Sequence, residues 1–240
     1  MPGARETADV ETSSDTYARR FSGAVGAWFL EVQARVTLDL VRAWPGATVI
    51  DVGGGHGQLT GPLVEAGYDV TVFGSAEVCR ERVRDWVDAG HARFASGDLL
   101  RLPFPDASFD VAISYRLLPH VTRWPALVAE LARVARRAVI VDYPTSRSVN
   151  VLSPLLFRLK KGMERDTRPF TVFRDADLVA AFAARGFRAT ARRPQFFFPM
   201  AVHRAVGAIR VARAVEGAAG ALGLIEAFGS PVILRLERSG

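Results

Sequence analysis

Val49-Ile50-Asp51-Val52-Gly53-Gly54-Gly55-His56-Gly57 is the stretch whose reading decides the fold. An apolar run short enough for a buried strand delivers four glycines and then a helix-like segment. Missing Cβ atoms let a ligand approach such a turn, and the following helix N-terminus presents free N–H groups. The spacing Asp-x-Gly-x-Gly-x-Gly narrows the ligand. A dinucleotide fingerprint wants Gly-x-Gly-x-x-Gly with no acid just before it, and counting from Gly53 the sixth position is Gln58. No Gly-x-x-x-x-Gly-Lys phosphate loop occurs either.

Outward from this turn, short β-branched runs alternate with longer amphipathic ones, the pattern of a βαβ sheet. Strands are expected at residues 47–52, 69–73, 92–95, 109–114, 138–142, 187–192 and 231–236, and helices at 17–41, 58–66, 76–89, 124–135, 175–185 and 201–219. The expected fold class is α/β, a doubly wound, Rossmann-like sheet of seven mostly parallel strands. Its last strand should pair antiparallel at the sheet edge. Domain organisation follows: a flexible N-terminus at 1–14, then one domain at 15–240 with a helical cap at 15–45. Two segments, about 144–175 and 194–228, are expected to form lids over a substrate site at the sheet edge.

Composition bounds the rest. With 49% hydrophobic residues, the 240-residue chain can bury a large core. One cysteine, Cys79, allows no internal disulfide, and the opening residues lack the apolar segment of a secretory signal, which points to a cytoplasmic protein. The net charge of +6 comes almost wholly from arginine. Arg185, Arg188, Arg192, Arg193, Arg204, Arg210 and Arg213 bracket Phe196, Phe197, Phe198, Pro199 and Met200. Such a stretch suits peripheral contact with an anionic membrane or a lipid substrate. The four histidines stand apart in sequence, so no metal site is expected.

A second block supports the first. Residues 97–111, Gly97-Asp98-Leu99-Leu100-Arg101-Leu102-Pro103-Phe104-Pro105-Asp106-Ala107-Ser108-Phe109-Asp110-Val111, together with Asp51, Gly53, Gly55 and Gly57, resemble the class I S-adenosylmethionine-dependent methyltransferases. The likeness is to the small-molecule branch that includes quinone methyltransferases, and it runs from about Tyr17 to Asp142. It implies S-adenosylmethionine as cofactor, held by Asp51, Gly53, Gly54, Gly55, Ser75, Asp98, Leu99 and Ser114. Asp51 would face the ammonium, Asp98 the adenine amino group, and Leu99 the adenine ring. It implies methyl transfer to oxygen, nitrogen or carbon of a small, fairly apolar acceptor.

One departure stands out: the family carries a ribose-binding acid at the end of the second strand, where this chain has Gly74-Ser75, so that either Ser75 and Glu77 take over the ribose contacts, or the cofactor is bound more weakly, or it differs. Tyr115, Arg116 and Tyr143 are candidate walls of an acceptor pocket, and His120 is a candidate general base. Methyl transfer by alignment alone is the alternative to that base. Nucleic-acid substrates are not expected, because no Asn/Asp-Pro-Pro-aromatic motif follows the fourth strand and Cys79 falls on the wrong helix for a nucleophile. A nicotinamide-dependent reductase and a non-catalytic methyltransferase-like module are the rival readings.

Overall fold

The structure is a computed structural model and describes residues 5–148 and 170–240. Seven strands form one sheet in the order β3-β2-β1-β4-β5-β7-β6. They are β1 (Thr48–Val52), β2 (Asp69–Gly74), β3 (Ala92–Ser96), β4 (Phe109–Ser114), β5 (Ala135–Tyr143), β6 (Phe187–Pro194) and β7 (Val232–Arg238). β1 pairs in parallel with β2 on one side and β4 on the other, Ile50 lying opposite both Thr71 and Ala112. Successive strands are added on one side of β1 up to β3 and on its other side from β4, and this switch of order opens a crevice beyond the carboxyl ends of β1 and β4.

Alternate residues of each strand feed opposite faces of the sheet. Ile50, Val52, Ala112, Val139 and Val141 join one core, while Val49, Val70, Val72, Val111, Ile113 and Ile140 join the other. Because both faces are covered, β4 reads as a continuous buried run. A third cluster of Phe21, Val25, Phe29, Val32 and Phe196 caps the carboxyl edge.

β7 is antiparallel, as its terminal position suggests, but it does not lie at the edge. It is inserted between β5 and β6, with Val141 opposite Leu234 and Arg192 opposite Leu234 from the other side. Burial explains the order. β7 places Val232, Ile233, Leu234 and Leu236 in the core, whereas β6 carries exposed Arg188 and Arg193 and suits the outer position.

The helices are α1 (Ala8–Thr12), α2 (Asp15–Ala18), α3 (Gly23–Val41), α4 (Thr60–Glu65), α5 (Arg84–Asp88), α6 (Trp124–Val134), α7 (Asp175–Ala183), α8 (Met200–Val206), α9 (Ile209–Ala221) and α10 (Leu224–Phe228). The single helix expected at 17–41 is broken after a 3-10 turn at Arg19–Phe21. Gly23 has φ +73, and Gly26 lets α3 pack directly on the Phe21 backbone. The helix expected at 201–219 likewise divides at Gly207, whose φ of +67 ends α8 in a left-handed cap.

The largest difference is at the start of the chain. Residues 1–14 were expected to form a mobile tail. Instead α1 packs onto the glycine-rich turn, with Asp9 at 0%, Thr12 at 4% and Ser13 at 5% exposure. Of the lid expected at 144–175, residues 149–169, including Phe157, Lys160, Lys161 and Arg168, lie outside the described residues.

Candidate active site

β1 ends on Val52, one residue after Asp51, and the chain then turns at Gly53 with φ +78. The Gly53 N–H donates to the Phe73 carbonyl at 2.8 Å, tying the turn to the end of β2. A 3-10 turn at Gly54–His56 follows, closed by Gly57 at φ +77. Left-handed backbone at both positions explains why glycine stands there. The bare glycine faces are occupied by this chain's own atoms. A Cβ at Gly53 would lie 2.8 Å from Leu117 Cδ2, one at Gly54 would collide with the Asp51 carboxylate, and one at Gly55 with Ser13 Oγ.

Two carboxylates sit beneath the turn. Burial, reinforced by the Asp142 charge, pushes the Asp51 carboxyl up to about 7. Asp142, near the end of β5, is raised by burial to about 6, although the Arg116 backbone N–H (2.6 Å) and the Gln33 amide (3.0 Å) both donate to it. Among the described residues lining the crevice, one cation, Arg116, stands with them. Arg116 has φ +57, an uncommon conformation for a residue with a side chain, and its Asp142 contact holds it there. Its guanidinium donates to Gln33 Oε1 at 2.8 Å and lies 4.0 Å from the centre of the Phe21 ring. His56 adds no charge. Burial, with the nearby Arg116 and Arg82 cations, lowers it to about 3, so it is a neutral imidazole.

Two cavities meet at Arg116. The larger, about 250 Å3, is walled by Tyr17, Phe21, Phe29, Phe196 and Met200, with Gln33, Arg116 and Asp142 on its floor and His120, Tyr143 and Phe170 on its far side. The smaller, about 10 Å3, lies between Asp51, Gly53, Gly54, His56, Gln58, Tyr115 and Thr12 of α1. Among the buried atoms bordering it, His56 Nδ1 and Gln58 Oε1 have no hydrogen-bond partner among the described residues. Buried polar atoms are nearly always paired, so these point to a ligand or water.

The sequence-derived candidates divide accordingly. Asp51, Gly53 and Gly54 border the small cavity; Arg116 borders both; Tyr143 and His120 border the large one. Tyr115 does not wall the larger cavity. Its ring is in the core and its hydroxyl is 2.8 Å from Thr37 Oγ1, because strand alternation turns it away from Ser114 and Arg116. Ser114 is buried and donates to the Val52 carbonyl at 2.9 Å, fastening β4 to β1. Asp98 caps its own turn by accepting from the Leu100 N–H at 2.9 Å, and Leu99 is fully buried in the core. Ser75 is in contact with α1, its N–H donating to Asp9 Oδ2 at 2.6 Å.

Phe196 does not project as an anchor. It packs on Phe29 with ring centres 4.2 Å apart. The exposed apolar side chains nearby are instead Val202, Val206, Val211, Val215, Leu222 and Phe228, on α8 to α10. Among the described residues no cluster of three potential metal ligands occurs, and no helix is long and apolar enough to cross a membrane.

Gln33 and Asp142 were not singled out from sequence, and both had a signal. Gln33 falls four residues after Phe29 on the buried stripe of α3, and Asp142 is an acid at the carboxyl end of a buried strand. Asp9 had none, since its role depends on a contact with Ser75, 66 positions away.

Residues 50–141 match the family model described as a methyltransferase domain. A demethylmenaquinone methyltransferase of Beutenbergia cavernae is 33% identical over 146 residues, covering 57% of this chain and 59% of that protein. The chain spans about half the length of the curated relatives it matches, from 41% to 59%. Among solved structures, magnesium protoporphyrin IX methyltransferase of Synechocystis with bound SAH superposes with a TM-score of 0.62 at 20% identity, covering 94% of each chain. The cyclase SpnF superposes with a TM-score of 0.58 at 22% identity, covering 86% of this chain and 80% of that one. These structural likenesses bear on the fold alone. The match over residues 50–141 shows that this chain carries a methyltransferase domain, and the superpositions show that the domain has the fold of these solved methyltransferase structures.

Proposed function

We propose that the protein binds S-adenosylmethionine at the glycine-rich turn and transfers its methyl group to a small, largely apolar acceptor in the 250 Å3 cavity. The observation that carries this reading is the charge balance at the crevice. Among the described residues lining the crevice, two buried carboxylates, Asp51 and Asp142, stand with one guanidinium, Arg116, and burial holds both acids well above their ordinary range. Such a site gains most from a cationic ligand, which would return each carboxylate to its charged form. A ligand bearing an ammonium, a sulfonium and one carboxylate has a net positive charge to set against these two carboxylates. The unpartnered His56 Nδ1 and Gln58 Oε1 add a donor and an acceptor beside it.

When bound, the cofactor supplies an electrophilic methyl group on sulfur. The chain does the positioning. Asp51 holds the ammonium, and Arg116, between the two cavities, orients an anionic or hydrogen-bonding group of the acceptor. The aromatic wall of Tyr17, Phe21, Phe29 and Phe196 excludes water and selects an apolar body. His120 is placed to take the proton of an acceptor hydroxyl or activated carbon. Ser75, Asp98 and Leu99 belong to the adenosine side, and Ser114 supports the glycine-rich turn by donating to the Val52 carbonyl just before it.

The acceptor is a small molecule. The exposed apolar face of α8 to α10, flanked by Arg204, Arg210 and Arg213, supports peripheral contact with an anionic membrane from which such an acceptor is drawn. A single buried, free Cys79 is in keeping with a cytoplasmic setting. Calorimetric titration with S-adenosylmethionine, S-adenosylhomocysteine and NADH tests the cofactor. Micromolar binding of the sulfur compounds, abolished in Gly55→Arg, supports the reading, and binding of NADH alone would replace it with a reductase. A non-catalytic module is favoured by one observation, the seating of α1 on the turn. Cofactor binding without methyl transfer to any of a panel of phenols, quinols and carboxylic acids would support that second reading.

A further inference from the structure

The geometry points to α1 and Ser13 as an intramolecular plug that occupies the cofactor cleft and must leave before the cofactor enters. This inference rests on the cofactor reading above. Ala8 packs into the core cluster that holds Phe73 and Leu99, on the adenosine side of the crevice. Asp9 is wholly buried, its Oδ2 accepting from the Ser75 N–H at 2.6 Å with Cys79 Sγ 3.4 Å away. Ser13 Oγ lies against the bare face of Gly55, and Thr12 closes the small cavity. What remains is about 10 Å3, the space of one water, too small for a nucleoside.

The end of β2 explains the fit. An acid cannot be carried at position 74, because a Cβ there would come within 2.6 Å of the Cys79 Cβ. The strand end therefore offers the Ser75 N–H without a carboxylate of its own, and Asp9 supplies one. The plug is also poised to open. Asp9 Oδ1 is buried without a hydrogen-bond partner among the described residues, a cost that opening relieves. A helix of five residues whose Thr7 side chain makes no capping bond has little stability of its own. Outside the cleft, side-chain bonds from Arg5 to the Ser75 carbonyl (3.2 Å) and to Glu6 from the Arg123 N–H (3.2 Å) help to hold it.

The test uses the full chain and its full-length Asp9→Arg variant, whose cation has no place on the Ser75 N–H. If α1 is seated in nine molecules of ten, apparent affinity is reduced about tenfold, and the variant should recover that factor. S-adenosylhomocysteine should speed amide exchange in residues 8–13 of the unaltered chain, and Asp9→Arg should bind it about tenfold more tightly. Protection of those amides by the ligand, unchanged exchange with binding intact, or weaker binding by the variant would overturn the plug while leaving the cofactor reading in place. Failure of both proteins to bind either sulfur compound would remove the cofactor reading and the plug with it. Should Asp9→Arg not fold, exchange in the unaltered chain decides by itself.

Discussion

Replacing Asp51 by Asn separates what this carboxylate costs the fold from what it does for a ligand. Its carboxyl is raised from an ordinary 3.8 to about 7 by burial and by Asp142. The native state thus holds a proton that the unfolded chain has released between those values. The stability cost is fully present above about pH 7 and absent below about pH 4. Three units correspond to about 4 kcal/mol at most, and relaxation around the buried charge reduces this to about 2 kcal/mol. For a chain of this length that is about 4 to 8 °C in melting temperature. Asn has nearly the same shape and no charge, so Asp51→Asn should melt higher than the unaltered protein at pH 8, with the gain fading towards pH 4. Differential scanning calorimetry across that range reads both. The same variant should lose at least tenfold in affinity for S-adenosylmethionine, and the unaltered protein should bind it about tenfold more weakly at pH 6 than at pH 8, since only about a tenth of Asp51 is then ionised. A lower melting point for Asp51→Asn, or a gain independent of pH, would show that the carboxylate is a net structural hydrogen-bond partner and refute the charge argument.

Gly53→Ala should cost about 2 kcal/mol, from the left-handed backbone plus the Leu117 contact, whereas Gly67→Ala, at φ +84 with open space around it, should cost only about 1 kcal/mol; urea melts of the two give the comparison. Burial alone would raise Asp110, but hydrogen bonds from Arg136, Thr48 and Arg137 outweigh it and hold its carboxyl at about 2. This depressed value contributes stability above about pH 4 that is lost as pH falls through 2, so Asp110→Asn should lower stability by about 1 to 2 kcal/mol at pH 7, with the deficit narrowing below pH 4. Arg116→Gln should raise the acceptor KM more than it lowers kcat if the guanidinium orients the acceptor; an unchanged KM would remove that role. Sedimentation with phosphatidylglycerol vesicles should fall in Leu222→Asp and Val211→Asp but not in Phe196→Leu, because the first two side chains are exposed and Phe196 is buried.

Much of this molecule is written locally. The run from Val49 to Gly57 specifies strand, left-handed turn and helix through residue types alone, because a β-branched strand and a positive φ are properties of a few adjacent residues. The alternation of apolar runs likewise marked all seven strands, and the acid at position 51 and the cation at position 116, both singled out from sequence, border the crevice cavities. What depended on contacts between distant segments was not. The place of β7 inside the sheet is decided by its burial relative to β6, and Tyr115 faces Thr37 because of strand register. Gln33, Asp142 and Arg116 act as a unit only once α3, β5 and the turn after β4 converge. The seating of α1 is the clearest case. A polar N-terminus reads as a tail because composition averages over side chains, yet one carboxylate reaching one unpaired N–H at the end of β2 is enough to bury it. Sequence alone determined which chemistry the crevice is built from; tertiary structure decided which of those groups meet, and that the chain's own first helix now lies among them.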